Sequence, residues 1–146
     1  GSNPGQPVIP GSSSMSWSRE SDTDLNVVGP FFLPNFNARF NTLYVVDVTT
    51  AIVSAHLPRI TPLNKGKMIL IKRSTGLITP PENPINVVPY ENTDPLDPLG
   101  LFIQNIDGDT TYADRRVAQS GPFNGCTYIS NGLAGVLGTW WRTSAC

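Results

Sequence analysis

Apolar and polar residues alternate along this chain in short runs, and turn-forming residues separate the runs. Residues 43–48 (LYVVDV) and 52–57 (IVSAHL) each alternate as a strand with one buried face does. Thr49-Thr50-Ala51 joins them, so the pair is expected to fold back as a hairpin. Residues 67–72 hold the near-continuous apolar run Met68-Ile69-Leu70-Ile71 between lysines, the pattern of a strand buried on both faces. Further strands are predicted at 85–88, 101–106, 112–118, 127–129 and 136–141. Pro58, Gly66, Gly76, Pro80-Pro81, Asp107-Gly108, Pro122, Gly125 and Asn131-Gly132 supply the punctuation. With 13 glycines and 14 prolines, few windows are long enough for a three-turn helix. Strands at this spacing predict an all-β fold, an antiparallel β-sandwich or jelly-roll-like barrel.

Composition refines that outline. A length of 146 residues suits one domain with a tail. Residues 1–16 are rich in Pro, Gly and Ser and read as an irregular, flexible leader, either a linker or the end of a stalk. Gly5, Pro7, Pro10 and Gly11 hint at a collagen-like frame, but Val8 stands where the middle glycine is required. Residues 17–146 then form the β-domain, with Trp17 as its first large apolar anchor. Gly1-Ser2 resembles a cloning scar, so the native N-terminus and any targeting signal are expected upstream.

Charge narrows the partners. Net charge is −1 and only 14% of residues are charged. Lys65, Lys67, Lys72 and Arg73 form the one basic cluster, which reads as a solvated sheet edge blunted against aggregation. Nucleic-acid binding through phosphate neutralisation is not expected, nor is membrane insertion, because no apolar run approaches a span.

Candidate chemistry is sparse. His56 is the only histidine, and no orienting partner for general-base work can be named from the sequence. Asp107 and Asp109 invite a calcium reading, but the further oxygen ligands of such a loop are missing and Arg115-Arg116 follows. No metal and no cofactor are implied. Cys126 and Cys146 lack metal or redox spacing, which leaves a disulfide and two free thiols both open. Phe31, Phe32, Phe36 and Phe40 surround Pro34 and read either as a lid over the core or as an oligomer contact. Trp140 and Trp141 must point to opposite faces of one strand, so one belongs to the core and the other meets solvent, a subunit or a ligand.

Three phrases carry a resemblance: residues 57–72 (LPRITPLNKGKMILIK), 106–112 (IDGDTTY) and 128–142 (YISNGLAGVLGTWWR). A strand ending in Leu57-Pro58 leads through a loop to Gly66-Lys67 and an apolar strand ending in Ile71-Lys72. Residues 83–87 (NPINV), the Ile106-Asp107-Gly108 turn and a closing strand pair with a terminal Trp follow in order. The set resembles a module of bacteriophage tail fibres and of the fibres and spikes of large DNA viruses. The long loop at 90–100 and the Phe-rich stretch at 31–40 depart from it. The resemblance implies the tip of a trimeric virion-surface fibre that attaches to a host glycan or protein receptor and contacts other virion proteins. It carries no list of binding residues.

Those must come from chemistry. A glycan site needs an aromatic platform that stacks on sugar C–H groups, with amides and carboxylates to fix hydroxyls. Tyr90, Asn92, Asp94, Asp97, Tyr112, Trp140 and Trp141 are the candidates. A glycan-degrading enzyme would need two opposed carboxylates from among Glu82, Glu91, Asp94, Asp97, Asp107, Asp109 and Asp114, and no catalytic residue is assigned. A purely architectural virion component is the other alternative.

Overall fold

The computed structural model of the chain describes residues 24–29, 35–74, 76, 83–144 and 146. The leader at 1–16, Trp17, Phe31 and Phe32 lie outside the described residues. The described part is all-β: β1 (Asp24–Val28), β2 (Asn35–Asn37), β3 (Thr42–Val46), β4 (Val53–His56), β5 (Met68–Arg73), β6 (Ile85–Val88), β7 (Glu91–Asn92), β8 (Phe102–Ile103), β9 (Asn105–Ile106), β10 (Val117–Gln119), β11 (Gly125–Ser130) and β12 (Thr139–Arg142). Two 3-10 turns, Pro62–Asn64 and Gly135–Leu137, are the helical pieces among the described residues.

The strands form mixed sheets. Sheet A has the order β1-β3-β5-β11-β12-β9, sheet B the order β10-β6-β4-β2, and β7 pairs with β8. The first six strands alternate between the two sheets, so the chain winds as a coil. β1, β3 and β5 stack in parallel in sheet A, while β2, β4 and β6 stack in parallel in sheet B. After β6 the chain reverses, and β10 and β11 close the sheets antiparallel against β6 and β5.

This winding corrects two expectations. The strands are not uniformly antiparallel, and β3 and β4 are not a hairpin but neighbours in sequence on opposite sheets. Alternation shows that a strand has one buried face; it does not say which sheet that face belongs to. Residues 47–52 are long enough to arch between layers, which stack about 10 Å apart. Val48 is buried within that arch, and the Asp47 carboxylate accepts from the Thr49 N–H (2.9 Å) and hydroxyl (2.6 Å).

Inward positions of both sheets build one cluster. In sheet A, Tyr44, Ile71 and Cys126 lie side by side. In sheet B the corresponding row is Phe36, Ala55, Val87 and Val117. Val46, Val53, Ile69, Ile85, Tyr128 and Trp140 join the same buried cluster. Fully burying each such side chain stabilises the fold by about 1.5–3 kcal/mol. The buried Tyr128 hydroxyl donates to Gln119 Oε1 (2.8 Å), and burial pushes its phenol pKa up. Gln119 in turn donates to the Ile71 carbonyl (2.7 Å).

Three strand expectations also change. β5 is not buried on both faces: Ile69, Ile71 and Arg73 point inward, while Met68 is exposed and Leu70 and Lys72 are half-buried. Of the 112–118 segment only Val117 and Ala118 are strand, at the start of β10, because residues 112–114 are exposed and leave no inner face to bury. The 136–141 segment begins with a 3-10 turn that exposes Val136 and Leu137, and its strand starts at Thr139. Asp107-Gly108 is the expected two-residue turn: φ is +56° and +74°, and the Asp109 N–H donates to the Ile106 carbonyl (3.0 Å).

Cys126 and Cys146 are bridged, with Cα atoms 5.8 Å apart, tying the end of the chain to β11. Phe36 packs on Tyr44 (ring centroids 4.8 Å) and Phe40 stacks on Trp140 (5.6 Å). These two phenylalanines are therefore used within the domain's own core rather than as a free patch.

Candidate functional site

The carboxyl ends of β2, β4 and β6 lie side by side, and the chain leaves all three at the same edge. Asn37, His56 and Val88 are in register there. Backbone pairing continues one step further: the Ala38 N–H donates to the His56 carbonyl and the Leu57 N–H to the Val88 carbonyl, both at 2.8 Å. Beyond that ladder the chains diverge and leave a cleft of about 520 Å³. Its walls include Asn37, His56, Pro58, Arg59, Tyr90 and Glu91.

Each wall has a support. Gln104 is buried and clamps Ile60, accepting from its N–H (2.8 Å) and donating to its carbonyl (3.0 Å). That clamp fixes the segment carrying Pro58 and Arg59. The Gln104 N–H donates to the Tyr90 carbonyl (2.9 Å), fixing the opposite wall from the same residue. The Arg59 guanidinium lies 5.7 Å from the Tyr90 ring centre and 5.3 Å from that of Phe102. It also donates to Asp97 Oδ2 at 2.9 Å. Tyr90 rests against Phe102, centroids 6.0 Å apart, so one side of its ring is packed and held.

The loop between β7 and β8 supports the cleft through its own acidic residues. The Asp94 carboxylate accepts from the Leu96 N–H (2.9 Å) and Asp97 from the Leu99 N–H (2.8 Å). Proline has no N–H, so in each Asp-Pro-Leu triplet the first donor within reach of the carboxylate is the leucine. The Leu99 N–H and then Arg59 hold the Asp97 pKa below the usual carboxylate value. Hydrogen bonding to Asp97 raises the Arg59 pKa in the same way. Asn92 is buried and donates to the Gly100 carbonyl.

The proposed ligand residues therefore separate. Tyr90 lines the cleft, and Asp97 reaches it through Arg59. Asn92 and Asp94 serve the loop backbone. Trp140 is buried under Phe40 and is not a platform, because its side of β12 is the inner one. Trp141 is half-exposed on the outer face of sheet A, beside Gly108. Tyr112 is exposed on a separate shallow surface with Asp114 and Arg116. Asn37, His56, Arg59 and Glu91 were not singled out as a ligand site by the sequence. The available signal was their place immediately at or after strand ends, with Pro58 and Pro89 marking two of the exits.

The other acids have partners of their own. Asp107 accepts from the Arg142 N–H (2.8 Å) and Nε (2.6 Å). Asp109 accepts from the Thr111 hydroxyl and N–H, which lower its pKa. Among the described residues, no three His, Cys, Asp or Glu side chains are grouped to hold a metal ion. The described residues also contain no helix long and apolar enough to cross a membrane.

Comparison with known proteins returns no family model that matches this chain and no matching curated protein.

Proposed function

We propose that this chain is the head domain of a viral fibre or spike, a non-enzymatic module that attaches virions to host cells by a surface glycan or protein. The observation carrying this reading is the cleft at the ends of β2, β4 and β6. A supported aromatic ring, Tyr90, is ringed there by an amide (Asn37), an imidazole (His56) and a carboxylate (Glu91), the groups a sugar-binding site uses. The two sheets are read as the layers of a β-sandwich, since their inward rows form one buried cluster. The proposed assembly is a homotrimer on the virion surface, its subunits meeting through the outer face of sheet A. That face carries Leu25, Leu43, Leu70, Met68, Ile129 and Trp141, and a net charge of −1 opposes association little.

The test is retention of the purified protein on a panel of cell surfaces, before and after enzymatic removal of surface glycans. Attachment through the cleft requires retention that Tyr90→Ala abolishes and Tyr112→Ala leaves intact. An architectural virion component would show no retention on any surface. Light scattering of the same preparation reads the assembly, and a monomer counts against the trimer.

A further inference from the structure

We propose that the cleft selects uncharged saccharides and rejects acidic ones; this rests on the attachment reading above and names the ligand class of the same cleft. The charges on its walls carry the inference. Arg59 is the one lysine or arginine among the lining residues. Its guanidinium is already committed to Asp97 at 2.9 Å and to the faces of Tyr90 and Phe102. Glu91 lines the same cleft, is exposed, and makes no ion pair among the described residues. A sialate carboxylate or a sulfate entering here would give up water and meet Glu91, and the single guanidinium on the walls is already paired with Asp97.

An uncharged sugar meets the opposite situation. Its hydroxyls can donate to the Glu91 carboxylate and exchange hydrogen bonds with the Asn37 amide and the His56 imidazole. Its apolar ring face can lie on the part of Tyr90 that Phe102 and Arg59 leave uncovered. The volume, about 520 Å³, falls within the range of small-molecule sites and gives room for a short saccharide. Neutralisation of Arg59 also persists into acid, because the Leu99 N–H and Arg59 itself keep Asp97 ionised below the usual range.

The experiment is an array of immobilised glycans in three sets, uncharged, sialylated and sulfated, probed with the labelled full chain and with two variants. The expected result is binding confined to uncharged glycans, weakened at least tenfold by Tyr90→Ala. Glu91→Lys, an exposed substitution checked for folding by circular dichroism, is expected to shift binding toward the sialylated and sulfated sets. Wild-type preference for acidic glycans would overturn the inference while leaving attachment by glycan in place. Binding to no glycan in any set would overturn the inference, and loss of retention on untreated cells as well would overturn the attachment reading.

Discussion

The two sheets share one chemistry on their inner faces and have opposite chemistry on their outer faces. Inside, both present β-branched and aromatic rows to a common cluster. Outside, sheet A shows the row Leu25, Leu43, Leu70, Thr127, with Met68, Ile129 and Trp141 one step to one side and Val45, Lys72 and Gly125 one step to the other. Sheet B shows Asn35, Ser54, Asn86 and Ala118, then Asn37 and His56 beside Val88. Burial explains the inner rows, because any apolar side chain there is removed from water. It does not explain the outer difference. A polar outer face is the ordinary state of a solvated sheet, whereas a continuous apolar one costs solubility unless something covers it. The comparison therefore separates a largely apolar outer face on sheet A from a polar one on sheet B that ends in the cleft.

The largest expected effect tests the shared interior. Ile71→Ala in sheet A and Ile85→Ala in sheet B remove fully buried side chains. Each is expected to destabilise by about 2–5 kcal/mol in a single urea transition followed by tryptophan fluorescence. Two separate transitions would mean that the sheets do not share one core.

Next comes the bridge that holds the chain end against sheet A. Replacing Cys126 and Cys146 by serine opens a link between residues 20 apart in sequence. The expected loss is about 2–4 kcal/mol, and a thiol titration of the unreduced protein should find no free cysteine.

The outer faces are expected to differ more in their effect on the proposed assembly than on stability. Leu70→Glu, on the apolar face, is expected to convert the proposed trimer to a monomer by light scattering. Asn86→Glu, on the polar face, should leave the mass unchanged. Both point outward, so unfolding free energy of the monomer should move by less than about 1 kcal/mol. Equal masses for both variants and the wild type would remove the functional distinction between the faces.

The smallest effect lies at the cleft wall. The folded-state pKa of Asp97 is depressed, so its contribution to stability is present above the unfolded value of about 3.9 and is lost as pH falls through the folded value. Asp97→Asn cannot lose that contribution. Urea midpoints measured from about pH 5 downward should fall less steeply for this variant than for the wild type; parallel slopes would rule out a linkage at Asp97.

Strand positions were largely legible because alternation is a local property. Residues 42–46, 53–56 and 85–88 carry it, residues 68–73 show an apolar run instead, and turn residues bound them all. Partnership was not legible. The same alternation suits a hairpin in one sheet and an arch between two, and a six-residue connection at 47–52 permits either. Site residues divided in the same way. Tyr90 was named as a candidate platform and lines the cleft, but Asn37, His56 and Glu91 meet there only because β2, β4 and β6 run parallel and end together. The structural use of Asp94 and Asp97 could have been read from the Asp-Pro-Leu triplets, whose proline leaves the leucine N–H for the carboxylate.

By itself, the amino-acid order determined an all-β chain, the Asp107-Gly108 turn and the division of Trp140 and Trp141 between opposite faces, since each depends on neighbours within a few residues. Tertiary structure decided which tryptophan is core, which cysteine alternative holds, the parallel winding and the cleft. These depend on contacts between distant segments, where local pattern is neutral and the winner is the arrangement that buries both sheets' inner rows at once.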